Sequence, residues 1–127
     1  MVTAKKIEYH ATDAFQKDFK RLSKKFRTLE DDLDTAKRNA IELYHICQID
    51  NRSIFPIPAF CNDEVTICKV KKFACKSLKG RGVMSGIRII YAFYIATYKV
   101  DFIEIYFKGD KENEDYERIK EYFKNQK

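Results

Sequence analysis

The run Gly86 to Tyr98 limits this chain more than any other feature. It is rich in β-branched and aromatic residues, which suit a pleated strand better than a helix. Period two places Arg88 with Ile90 and Ala92 on one face, and Ile87, Ile89, Tyr91 and Phe93 on the other. An earlier run, Val65 to Lys76, reads as a long strand. Its alternation sets Ile67, Lys69, Lys71 and Phe73 on one face and Cys68, Val70, Lys72 and Ala74 on the other. Ser77 to Ser85, with Gly80 and Gly82, reads as a flexible basic loop between them. Lys99 to Asp101 is a plausible turn, and Phe102 to Lys108 a further strand. Three strands in series with short links predict an antiparallel meander.

Upstream, Lys6 to His10 alternates around Ile7 and Tyr9 as a short first strand. Thr12 or Asp13 offers a helix cap, and Asp13 with Gln16 is spaced like a capping box. Phe15, Phe19, Leu22 and Phe26 follow at helical spacing, with Lys17, Lys20, Arg21, Lys24 and Lys25 outward. Thr28 caps a second helix whose first turn holds Glu30, Asp31 and Asp32. Its inward stripe is Leu29, Leu33, Ala36, Ala40, Leu43, Tyr44 and Cys47. The short link predicts a helical hairpin lying on one face of a sheet. Asp50 to Asp63 is read as an ordered loop in which Pro56 and Pro58 prevent regular pairing. A final helix starts near Asn113 or Asp115, with Tyr116, Ile119, Tyr122 and Phe123 inward. The expected class is α+β, in the order β-α-α-β-β-β-α. A single domain would span 1–127, with an ordered insertion at about 50–64.

A chain of 127 residues suits one domain, and ten Phe with eight Tyr supply an aromatic core. No apolar leader or membrane-length run is visible, so a soluble cytoplasmic protein is expected. Cys47, Cys61, Cys68 and Cys75 form no C-x-x-C pair. Free, mostly buried thiols are expected, and neither a metal nor a cofactor.

Charge is unevenly placed. Eight of the 25 basic residues lie between Thr66 and Lys99, a segment with no acid, while the rest of the chain holds 17 basic against 19 acidic residues. The whole excess of +6 therefore comes from one strand-forming segment. Such a block can be only a solvated face; its confinement to strands favours a phosphate-binding surface suited to an RNA backbone. The lining would rest on the exposed face of the sheet.

RNA cleavage needs an activated 2′-hydroxyl, charge stabilisation at phosphorus and a protonated leaving oxygen. The two histidines are poor candidates, since His45 falls beside an apolar stripe and His10 ends the first strand. Lysine can serve when crowded by cations that lower its pKa. Lys69 and Lys71 share a strand face, and Arg88 on the next strand can clamp a phosphate with its fork. No P-loop, G-x-G-x-x-G or acidic two-metal pattern is present.

The stretches Phe15-Gln16-Lys17-Asp18-Phe19-Lys20-Arg21-Leu22, Lys69-Val70-Lys71, Ser85-Gly86-Ile87-Arg88-Ile89-Ile90-Tyr91 and Ile105-Tyr106-Phe107-Lys108-Gly109-Asp110-Lys111-Glu112-Asn113 carry a resemblance. In this order the chain resembles the RelE/ParE superfamily of toxins from toxin–antitoxin pairs, over nearly its whole length. The resemblance implies a RelE-like fold and a ribosome-dependent mRNA endonuclease, a hydrolase-type nuclease neutralised by a cognate antitoxin. It implies mRNA, the ribosome and an antitoxin as partners, in a toxin–antitoxin hetero-oligomer. By position, Lys69 and Lys71 match the base and phosphate ligand, Arg88 the transition-state arginine, and Tyr116 a base-stacking tyrosine. Tyr116 reads equally well as a core residue of the last helix. Where the family often has an arginine as acid, this chain offers Lys108 and Lys111. Lys72, Lys76, Lys79 and Arg81 would add RNA-backbone contacts.

Two other readings stay open. One is a ParE-like toxin that inhibits DNA gyrase without nuclease chemistry; the other is a catalytically impaired RNA-binding remnant. Retention of Lys69, Lys71 and Arg88 together favours the nuclease.

Overall fold

In the computed structural model, which describes residues 6–82 and 84–125, β1 (Glu8–Ala11) leads into α1 (Asp13–Lys25). Thr12 is the cap, its Oγ1 accepting from the Phe15 N–H. Gln16 Nε2 donates to the Ala11 carbonyl at 3.1 Å and accepts from no N-cap N–H, so Asp13 and Gln16 form no capping box. α2 (Leu29–Ala36) passes through a π-helical stretch, Lys37–Glu42, into α3 (Leu43–His45). The wider π turn rotates the later positions. Ile41 is therefore buried, while Leu43 and Tyr44 are half-buried and Cys47 is exposed.

β2 (Ile54–Pro56), β3 (Val65–Val70), β4 (Ile87–Tyr94) and β5 (Lys99–Phe107) follow, then α4 (Tyr116–Asn125). The five strands form one sheet in the order β1-β5-β4-β3-β2. β3, β4 and β5 make the expected antiparallel meander. β1 pairs with β5 in parallel, so the sheet is mixed.

Several expectations are corrected. The 50–63 segment contains a strand: Ile54, Phe55 and Pro56 pair with Val70, Lys69 and Cys68. Pro56 is tolerated because β2 is an edge strand, where a missing N–H costs no ladder bond. β3 stops at Val70 and not at Lys76. Beyond it Phe73 and Cys75 turn in beside Cys68 and Val70, so Phe73 lies on the opposite side from Lys69. The last hairpin turns at Ile95 to Tyr98, where Tyr98 takes φ 54°, and β5 begins at Lys99. Asp115 caps α4 by accepting from the Arg118 N–H.

The sheet has a core on each face. α1 and α2 cover Cys68, Val70, Ile87, Ile89, Tyr91, Phe93 and Phe102. α4 covers the other face through Ile119 and Tyr122, against Val65, Ile67, Ile90, Ala92 and Ile103. That second face is therefore partly buried; it is not an open basic surface. A register shift between Ile90 and Tyr91 pairs Ile90 with Glu104 but Tyr91 with Phe102. Ile103 is the extra residue of a β-bulge. No helix among the described residues is long and apolar enough to cross a membrane.

Candidate nucleic-acid interface

The strand register gathers the basic residues into rows. Arg88 on β4 sits opposite Tyr106 on β5, and Ile90 lies between Lys69 on β3 and Glu104 on β5. Lys71 follows β3 by one residue, and its N–H donates to the Ser53 carbonyl at 2.9 Å. The Arg88 guanidinium Nη1 donates to the Lys71 carbonyl at 2.7 Å. Lys71, Arg88 and Tyr106 thus form one row at the β3 C-terminal end of the sheet, and Lys69 the start of the next. No carboxylate pairs with Lys71 or Arg88 among the described residues. The Lys71 ammonium lies 4.6 Å from the centre of the Phe55 ring.

Lys69 is differently placed. Its Nζ is 2.7 Å from Glu114 Oε1, and 5.8 Å from the Tyr106 ring centre. Burial favours the neutral amine, but hydrogen bonds to Glu114 and Tyr106 outweigh it and hold the Lys69 pKa above its ordinary value. Crowding by cations would lower that pKa; the Glu114 carboxylate, from the link leading into α4 on the same face, reverses the direction. Lys69 is a bound ammonium in this arrangement, not a general base.

The link from β5 to α4 is strapped down in the opposite sense as well. Glu104 is 2% exposed on β5, bonds the Lys111 ammonium and accepts from the Asp115 N–H at 2.9 Å. Lys111 is thereby committed to an internal pair, whereas Lys108 is exposed beside Gly86, to whose carbonyl its N–H donates at 2.8 Å. Tyr116 does not face the core: it is 51% exposed and packs against Phe60 at 5.7 Å. Together with Phe55, 39% exposed beside Lys71, it offers aromatic surface near the basic row.

Lys72, Lys76, Lys79 and Arg81 are all exposed on the segment that follows β3. Buried Phe73 and Cys75 anchor that segment between them. His45 is structural: its Nε2 bonds the Tyr91 hydroxyl at 2.7 Å and its ring stacks on Phe93. Burial lowers its pKa to about 4. Cys68 and Cys75 are buried, Cys61 is half-buried and Cys47 exposed, all as free thiols. No group of three metal-ligating side chains occurs among the described residues.

Three contributors escaped the sequence reading: Phe55, Glu104 and Glu114. Glu104 had a visible signal, an acid two residues before Tyr106 in a run whose alternate positions are apolar. Glu114 had none, because its partner is 45 residues away.

No family model matches the chain, and no curated protein does. Among solved structures, the chain is similar to the crystal structure of an archaeal RelE–RelB complex from Pyrococcus horikoshii OT3. Identity is 10% and the TM-score 0.48, over 81% of this chain and 96% of that chain.

Proposed function

We propose that this chain is a ribosome-dependent mRNA endonuclease that binds single-stranded RNA at Lys71 and Arg88, beside the buried ring of Tyr106, and that a cognate antitoxin neutralises it. The observation that carries the reading is the placement of Arg88. One guanidinium nitrogen is fixed on the Lys71 carbonyl, and no carboxylate competes for its charge among the described residues. A guanidinium held this way presents its remaining N–H groups to a phosphate without reorganising. Phe55 and Tyr116 supply stacking surfaces for flanking bases.

In the reaction, the ribose 2′-oxygen attacks phosphorus and the bond to the 5′-oxygen breaks. Lys71 enters the step in its neutral amine form, takes the 2′-hydroxyl proton and becomes the ammonium. Arg88 and the Lys69 ammonium carry the negative charge that develops on the phosphorane oxygens. Lys108 returns a proton to the departing 5′-oxygen. The products are a 2′,3′-cyclic phosphate and a 5′-hydroxyl. The antitoxin and the ribosome enter through the sequence resemblance.

A second reading, RNA binding without cleavage, is favoured by one observation: Glu114 already occupies Lys69. Inducible expression with mapping of mRNA 5′ ends separates the two. Codon-positioned cuts that vanish in Lys71→Ala and Arg88→Ala support the nuclease. Growth arrest with DNA damage and intact mRNA supports a gyrase inhibitor. RNA binding with neither cuts nor arrest leaves the remnant.

A further inference from the structure

The cationic surface does not end at the sheet. Thr28, just after the C-terminal end of α1, is clasped to Ser77 in the basic loop. The Thr28 N–H donates to Ser77 Oγ at 3.1 Å, the Ser77 N–H donates to Thr28 Oγ1 at 2.9 Å, and the two hydroxyls lie 2.8 Å apart. Buried Asp32 reinforces the joint by accepting from Thr28 Oγ1 at 2.7 Å and from the Lys76 N–H at 3.2 Å. The clasp brings two cation sets that are about fifty residues apart in sequence to one place. Lys24 and Arg27 come from α1 and its exit, and Lys76, Lys79 and Arg81 from the loop.

All five side chains are exposed, and none pairs with a carboxylate among the described residues. Glu30 and Asp31 bound the band where α2 begins. Lys76 and Lys79 also line a shallow concavity with Gly80 and Gly82. A Cβ added at either glycine would meet nothing within 4 Å, so the backbone there is open to approach.

We infer that this band is a second phosphate track, distinct from the Lys71–Arg88 row, and shaped for the backbone of double-helical RNA. The contrast in aromatic content decides the partner. Single strands are held by cations together with aromatic platforms on which unstacked bases lie. The Lys71–Arg88 row has Phe55 and Tyr116 near it. The band has no aromatic side chain among its five members or in the 77–85 loop, where the exposed apolar residue among those described is Met84, at 72%. A duplex keeps its bases stacked inside and is gripped through phosphate and 2′-hydroxyl groups alone. A set of point charges clasped at the backbone matches that need. The inference rests on the RNA reading for the class of partner only.

The test uses the full chain and two probes, a blunt 20-base-pair RNA duplex and an unstructured 12-nucleotide RNA. Two exposed pairs are neutralised separately, Lys24→Gln with Arg27→Gln and Lys79→Gln with Arg81→Gln, and circular dichroism checks that each variant folds. Each pair is expected to weaken duplex binding about tenfold and to flatten the log–log salt dependence by roughly two. Binding of the 12-mer should change less than about twofold, while Arg88→Gln should show the reverse pattern. Equal loss on both probes in the band variants would merge the two surfaces and overturn the inference. So would a wild-type chain that binds the 12-mer and not the duplex, or one that needs the band only for vesicles of anionic lipid. Duplex binding that depends on the band, with no binding of the 12-mer, would instead sink the single-strand reading and leave the band standing.

Discussion

Lys69 Nζ lies 2.7 Å from Glu114 Oε1, with the two side chains 13% and 9% exposed. The pair links the middle of the sheet to the start of the last helix. It also places an internal carboxylate where the proposed reaction would put a phosphate oxygen. Glu114 thus competes with RNA for the same ammonium.

Glu114→Gln removes that competitor. Single-stranded RNA should bind about threefold more tightly, roughly 0.7 kcal/mol. Weaker binding would instead make Glu114 part of the RNA site. Burial pushes the Glu114 pKa up, but its bond to Lys69 wins and holds it below the ordinary value. The stability it contributes is fully present above about 4.3, the unfolded value, and is lost as pH falls through the lower folded value. Guanidinium melts of the variant should therefore lose less stability on acidification than the wild type. The Lys69 contribution runs the other way, lost only as pH rises through its raised value above about 10.4.

Glu104 and Lys111 are unequal partners, at 2% and 39% exposed. Removing Lys111 takes the bonded ammonium from a buried carboxylate and leaves only the charge of Arg118 nearby, whereas removing the charge of Glu104 leaves an ammonium that water can reach. Lys111→Met should cost about 3 kcal/mol at pH 7. Glu104→Gln, which still accepts from the Asp115 N–H, should cost about 1 kcal/mol. Urea unfolding of the two variants measures the difference.

His45 stays neutral in the folded chain down to a pKa of about 4, because burial disfavours the imidazolium. Its unfolded value is about 6.5, so the unfolded chain takes up a proton first. The stability it supplies is complete above about pH 6.5 and falls away toward pH 4, by about 2 kcal/mol once partial solvent access is allowed for. His45→Gln should flatten the stability profile across that window, as read by thermal melts from pH 4 to 7.

Gly109 stands against the Phe107 ring so closely that a Cβ there would lie 2.5 Å from Cε2. The ring also meets Phe26 at 5.1 Å and the Lys25 ammonium at 4.7 Å. Gly109→Ala must displace the ring and disturb those contacts. A loss of about 2 kcal/mol is expected, with a local change in Phe107 side-chain shifts by NMR.

The faces of β4 were legible in the sequence because Ile87 to Phe93 is β-branched and aromatic and apolar throughout except at Arg88, whose charge fixes the phase. Arg88 was legible for the same reason, as the one charge in that run. The end of β3 was not, since Lys71, Lys72 and Phe73 continue a period-two pattern that the backbone abandons after Val70. β2 was hidden by Pro56, whose defect matters only to a strand with neighbours on both sides. The strap over Lys69 was out of reach for a different reason. Periodicity describes what a residue shows to its own element, and Glu114 and Lys69 meet across two.

The bulge at Ile103 carries a consequence for how the chain reaches this state. Ile103 and Glu104 are adjacent in sequence yet both belong to the α4 side of the sheet. A strand that formed without the extra residue would swing Glu104 and Tyr106 toward the α1 side, placing an unpaired carboxylate among Phe15, Leu22 and Phe26. The wrong alignment is thus penalised by charge before any packing detail is tested. One inserted residue acts as a proofreading device, coupling correct pairing of the last two strands to delivery of the basic row to solvent.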